Sequence, residues 1–114
     1  MTTVTLGVAS REAVTARFLA AMNGQEPGAY ISFETPELLL KTLTQLRWNI
    51  IKTMTGAGPV SIREIARRVS RDVKAVHRDV HALLAVGVLE RTVDGLIEFP
   101  YSAVHVDFML ECAA

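Results

Sequence analysis

Three features between Ser61 and Phe99 predict a mainly α fold with a small β-sheet. They are a capped amphipathic helix, a second amphipathic helix set off by a tight turn, and an apolar hairpin built on Asp94-Gly95. In that order they spell a winged helix-turn-helix, and the strand-helix-strand pattern ahead of them reads as an N-terminal extension. The expected division is residues 1–34 for the extension, a surface for dimerisation or partner binding, and residues 35–114 for the winged helix-turn-helix domain.

Taken in order, residues Thr2–Ala9 alternate Val4, Leu6 and Val8 with small or polar neighbours, the period-2 pattern of a short strand. Ser10 can cap a helix running to Asn23, with Val14, Phe18 and Met22 along one face and Gly24 as its stop. Pro27-Gly28 is a turn signal, and Tyr30–Phe33 a second brief strand. Thr35 followed by Pro36 opens the next helix, as cap and first helical position. From there Leu39, Leu43, Leu46, Ile50 and Met54 recur at helical spacing, as one helix or two abutting ones, until Gly56-Ala57-Gly58-Pro59 ends the run. Trp48 within it is expected to pack in the core under the second helix of the pair.

Ser61-Ile62-Arg63-Glu64 has the form of a capping box, with Ser61 serving the amide three residues on and Glu64 reaching back. Ile62, Ile65, Ala66 and Val69 give the helix its apolar stripe, and Ser70-Arg71 make the turn. Asp72 caps the next helix, which is expected to bury Val73, Val76, Val80, Leu83 and Leu84 and to stop at Gly87. Val88–Val93 and Leu96–Phe99 flank Asp94-Gly95, a dipeptide suited to a type I′ hairpin turn. Val104, Val106 and Phe108 alternate as a last strand.

At 114 residues the chain is one folded unit by size, and a hydrophobic content of 50% supplies a core rather than a disordered tract. No stretch approaches a membrane span, and the N-terminus does not read as a secretory leader, so a cytoplasmic protein is expected. The single cysteine, Cys112, excludes an intrachain disulfide. Formal net charge is zero, yet it is segregated. Ser61–His81 holds six basic and three acidic residues, and the remainder holds six basic and nine acidic. The positive excess therefore falls on the helix pair.

A helix enters the major groove when its outer face carries long donors and its inner face is anchored by a second helix. Lys74, His77, Arg78 and His81 form that outer face, with Arg78 suited to grip a guanine through two donors. Arg63, Arg67, Arg68 and Arg71 are placed to hold the phosphate backbone, Ser61 and the amides beside it to meet one phosphate, and Arg91 to reach the neighbouring minor groove from the hairpin. His77 and His81, four apart, could also hold a metal with help from His105, Asp107 or Cys112, but the same helix is the one that DNA requires; no metal and no other cofactor are expected. No Gly-rich phosphate loop, nucleophile elbow or carboxylate cluster with an adjacent base is present, so the chain does not read as an enzyme.

The stretches ISFETPELLLKTLT, LRWNIIKTM, GPVSIREIARRVSRDVKAVHRDVHALLAVGVLER and DGLIEFPYSAVHVDF, from Ile31 to Phe108, resemble short regulators of the multiple-antibiotic-resistance (MarR) type. Little matches ahead of Tyr30. The resemblance implies a groove-reading helix at Asp72–Val86, a wing at Val88–Phe99, and a dimeric repressor of a class often encoded beside a small toxin. The expected function is thus a sequence-specific transcriptional regulator that binds double-stranded DNA as a homodimer, acting as a repressor. One alternative is an antitoxin that covers a cognate toxin protein and represses its own operon; another is a metal-responsive repressor. The strand candidates at Thr2–Ala9, Tyr30–Phe33 and Ala103–Leu110 could offer an edge to a twin or partner, or simply join the chain's own sheet.

Overall fold

The computed structural model describes residues 2–8, 15, 19 and 29–109. Along the chain run β1 (Thr3–Val8), β2 (Ala29–Phe33), α1 (Pro36–Thr42), α2 (Gln45–Met54), α3 (Ile62–Val69), α4 (Val73–Val86), β3 (Glu90–Arg91), β4 (Ile97–Glu98) and β5 (Ala103–Asp107). Of the helix expected over Ser10–Asn23, Thr15 and Leu19 are helical; its other residues, the Gly24 stop, the Pro27-Gly28 turn and Cys112 lie outside the described residues.

The expected architecture is overturned. The protein is a small α/β domain, not a mainly α winged helix-turn-helix carrying an N-terminal extension. Its first strand is the centre of a three-stranded sheet of order β2-β1-β5, with both neighbours parallel to it. The period-2 patterns were sound as strand signals, but pairing is not a local property. Val4 aligns with Ala29 on one side and Val104 on the other, and Leu6 with Ile31 and Val106, so one face of the sheet is apolar across all three strands. Val4 and Leu6 are fully buried and belong to the same core as Ile50, Ile65, Val80 and Ile97, which unites the sheet with the helices. On the opposite face β1 narrows to Gly7, where an added Cβ would collide with the Tyr30 hydroxyl and come within 2.8 Å of the Asp107 carbonyl oxygen.

Helix boundaries follow from side-chain caps. Thr35, Thr44 and Ser61 each accept a hydrogen bond from the amide three residues ahead, and they start α1, α2 and α3. The apolar run from Pro36 to Met54 is broken into two helices because Thr44 caps a new start after Leu43 leaves the helical region. Asp72 accepts from the amides of Lys74 and Ala75 at the start of α4. Both α3 and α4 end in Schellman motifs. Ser70 at φ 56° lets Arg71 N–H reach Ala66 C=O at 3.0 Å, and Gly87 at φ 88° lets Val88 N–H reach Leu83 C=O at 3.0 Å.

The Asp94-Gly95 hairpin forms, but with a different turn. Only Gly95 has positive φ, at 82°. Gly95 N–H donates to Thr92 C=O at 2.9 Å and Thr92 N–H to Leu96 C=O at 2.8 Å, so a turn over Thr92–Gly95 ends on the left-handed Gly95, which bulges the ribbon. The Thr92 hydroxyl favours this geometry by accepting from Leu96 N–H. The strands shorten to two residues each, and β4 is anchored on its other side by a reciprocal pair of backbone bonds between Ile97 and Val60, immediately ahead of α3.

Ser70 is the one non-glycine at positive φ among the described residues. Left-handed backbone costs an L-residue about 1 kcal/mol relative to glycine. Ser70→Gly should therefore raise the free energy of unfolding by up to about 1 kcal/mol in urea titrations.

Candidate nucleic-acid interface

Fourteen residues long, α4 presents two contrasting sides. Val76, Val80 and Leu83 are wholly buried, and Leu84 is partly so; Val73, expected inside, is 42% exposed because it opens the first turn beyond the core's edge. On the outer side Lys74, His77, Arg78 and His81 are exposed and, with Val73, line a shallow depression. Among the described residues no carboxylate lines it, and neither Lys74 nor Arg78 takes part in an ion pair. The His77 and His81 rings pack one turn apart, centroids 4.1 Å from each other. No group of three or more His, Cys, Asp and Glu side chains gathers among the described residues, so His105 and Asp107 do not complete a ligand set around this pair.

The arginines of α3 and the turn divide by partner. Arg63 is exposed. Arg67 and Arg68 both bind Glu64, with Arg67 Nε 2.9 Å from Oε1 and Arg68 Nε 2.7 Å from Oε2. This replaces the expected reach of Glu64 back to the Ser61 amide: two guanidiniums on the next turn compete better for the carboxylate than one neutral donor. Ser61 keeps its half of the cap through Glu64 N–H. Arg91 is exposed on β3. Arg71 is turned inward instead, its Nη1 2.9 Å from Asp79 Oδ2 with only 20% of the side chain exposed.

Asp79 is the residue that reading for exposed cations misses. It lies on the buried stripe of α4 between Val76 and Val80 and is 9% exposed. Its other oxygen takes a hydrogen bond from Arg47 Nε at 3.0 Å, and Arg47 Nη1 in turn donates to Thr42 C=O at 3.1 Å. One carboxylate thus joins α4 to α2 and to the α3–α4 turn, and through Arg47 to the end of α1. A signal was present, since an aspartate among Val76, Val80 and Leu83 must find cationic partners. Trp48, partly buried, lines a groove with Leu39, Leu40 and Leu43 of the α1 region and Val106 of β5.

The HVO_A0114 family model matches residues 42–106, more than half of the chain, covering α2 to β5 except the last residue of that strand. No curated protein matches the chain. No helix among the described residues is long and apolar enough to cross a membrane.

Hydrogen bonds from Arg67 and then Arg68 hold the Glu64 carboxyl down at about 2, from an ordinary value of 4.5. A depressed folded-state value stabilises the protein above the unfolded value and is lost as pH falls through the folded one. The stability difference between wild type and Glu64→Gln should therefore be constant above pH 5 and shrink between pH 4.5 and 2, as followed by urea unfolding at each pH.

Proposed function

The chain belongs to the HVO_A0114 family, and within the stretch that matches it we propose a duplex-DNA interface made by α3, α4 and the β3–β4 ribbon, acting in sequence-specific control of transcription. The observation that carries this reading is the outer face of α4: Lys74, His77, Arg78 and His81 exposed together, with no carboxylate among the described residues lining them, on a helix whose inner face is locked into the core. Such a helix offers donors to base edges in the major groove while its neighbour meets the backbone. Arg78 is assigned to bases, Lys74 and Arg63 to phosphates, and the first amides of α3 to a further phosphate. Arg67, held to Glu64, keeps a donor for phosphate on the exposed side of α3, and Arg91 extends the footprint from the ribbon; Arg68, on the side of α3 that faces α2, stands outside it. Arg71 contributes by holding Asp79.

A single module of this size binds weakly, and two copies on a two-fold symmetric site supply the needed affinity. The sheet offers an edge for that pairing at β5, where Ala103, His105 and Val106 are exposed.

The test is selection of duplexes from a random library by the full chain, followed by binding across a salt series. A selected site should bind with strong salt dependence. Arg78→Ala should cost about 1–3 kcal/mol on that site and relax preference at one position, and Lys74→Ala should lower the salt slope by about one. No enriched sequence, or a double variant that binds as wild type does, would remove α4 from any DNA contact.

A further inference from the structure

A second cationic surface lies off the α4 face. Between α2 and the C-terminal end of α3 runs a groove of about 380 Å³ whose polar lining is Asn49, Lys52, Thr53, Arg68 and Arg71, with Leu46 and Val69 as its apolar walls. Among the described residues no carboxylate lines it. Lys52 is exposed and takes part in no ion pair among the described residues. Asn49 has its carbonyl oxygen occupied by Gln45, which leaves its NH₂ as a donor. Arg71 is half-used: buried Nη1 lies close to Asp79 but has no hydrogen-bond acceptor in alignment among the described residues. Arg68 gives its Nε to Glu64 at 2.7 Å and keeps its Nη groups, so among the described residues the groove gathers donors in excess of acceptors, in a volume typical of small-ligand sites.

We propose that this groove is a binding site for a small oxyanion, a phosphate or a carboxylate, with Lys52 supplying the attracting charge and Asn49, Arg68 and Arg71 the hydrogen bonds. Its position separates it from the duplex interface. At 3.6 residues per turn Arg68 projects roughly 140° around α3 from Arg63, toward α2 and away from the phosphate-facing side. The apolar walls Leu46 and Val69 suit an anion carried on a short aliphatic body as well as a bare one. The inference stands on the groove alone and does not require that α4 bind DNA.

The experiment titrates the isotope-labelled full chain with inorganic phosphate and, separately, with hexanoate, each against chloride at constant ionic strength, following amide chemical shifts. Saturable shifts centred on Asn49, Lys52, Thr53 and Arg68 are expected with at least one probe, and the tighter probe identifies a bare or a tailed anion. Lys52→Gln should weaken binding at least fivefold, whereas Lys41→Gln, which removes the same charge from the last turn of α1, should leave it unchanged. Equal weakening by both variants, shifts centred on Lys74–His81, or no saturation with either probe would overturn the assignment; shifts on α4 alone would instead mark a general polyanion surface.

Discussion

The carboxylate of Asp79 is the constraint around which the helical part of this protein is arranged. It sits on the inner stripe of α4, nearly removed from water, and is held by Arg47 at 3.0 Å and Arg71 at 2.9 Å. A charge in that position is tolerable only if both partners stay in place, because an unpaired buried carboxylate costs several kcal/mol. The apolar contacts of Val76, Val80 and Leu83 supply most of the burial energy but little directional information. The ionic cluster supplies direction: α4 can dock in one rotation and at one height, with α2 on one side and the Ser70-Arg71 turn on the other. Buried ion pairs are often matched in stability by apolar residues of similar shape, so the geometry this cluster imposes counts for more than its net stability.

From that orientation the rest of the candidate interface follows. With Asp79 inward, Lys74, His77, Arg78 and His81 are carried outward on the opposite side of α4. The same turn that brings Arg71 to Asp79 is shaped by the left-handed Ser70, and the groove next to it inherits Arg71 and Arg68 as donors. The described cations around α4 therefore divide by partner: Lys74 and Arg78 lie outward with no ion pair among the described residues, Arg67 and Arg68 are bound to Glu64, and Arg47 and Arg71 to Asp79. Counting positive charge along Ser61–His81 merges the three.

What could be read from the sequence was local. The caps at Thr35, Ser61 and Asp72, the stop at Gly87 and the apolar stripe of α4 each depend on residues within one or two turns, and the structure shows them, with Val73 alone of the expected stripe exposed. The sheet could not be read that way. Thr2–Ala9 and Val104–Phe108 look like strands by alternation, but nothing in either segment states that it pairs in parallel with the other across nearly the whole chain. This non-local pairing is what turned an expected extension into the centre of an α/β domain. The Asp94-Gly95 turn failed for a smaller reason: the dipeptide suits two turn types, and the Thr92 hydroxyl, bonded to Leu96 N–H, selects the bulged one. Nothing local marks Lys52, because its groove is assembled from helices that touch only in the folded chain.

Whether Asp79 locks α4 through its cationic partners is decided by a double-variant cycle in urea between Asp79→Ala and Arg47→Ala. A coupling of about 1 kcal/mol or more is expected, with Asp79→Ala the more damaging single change because it strands two guanidiniums. Effects that add to within about 0.5 kcal/mol would contradict it, leaving the apolar stripe alone to orient the helix.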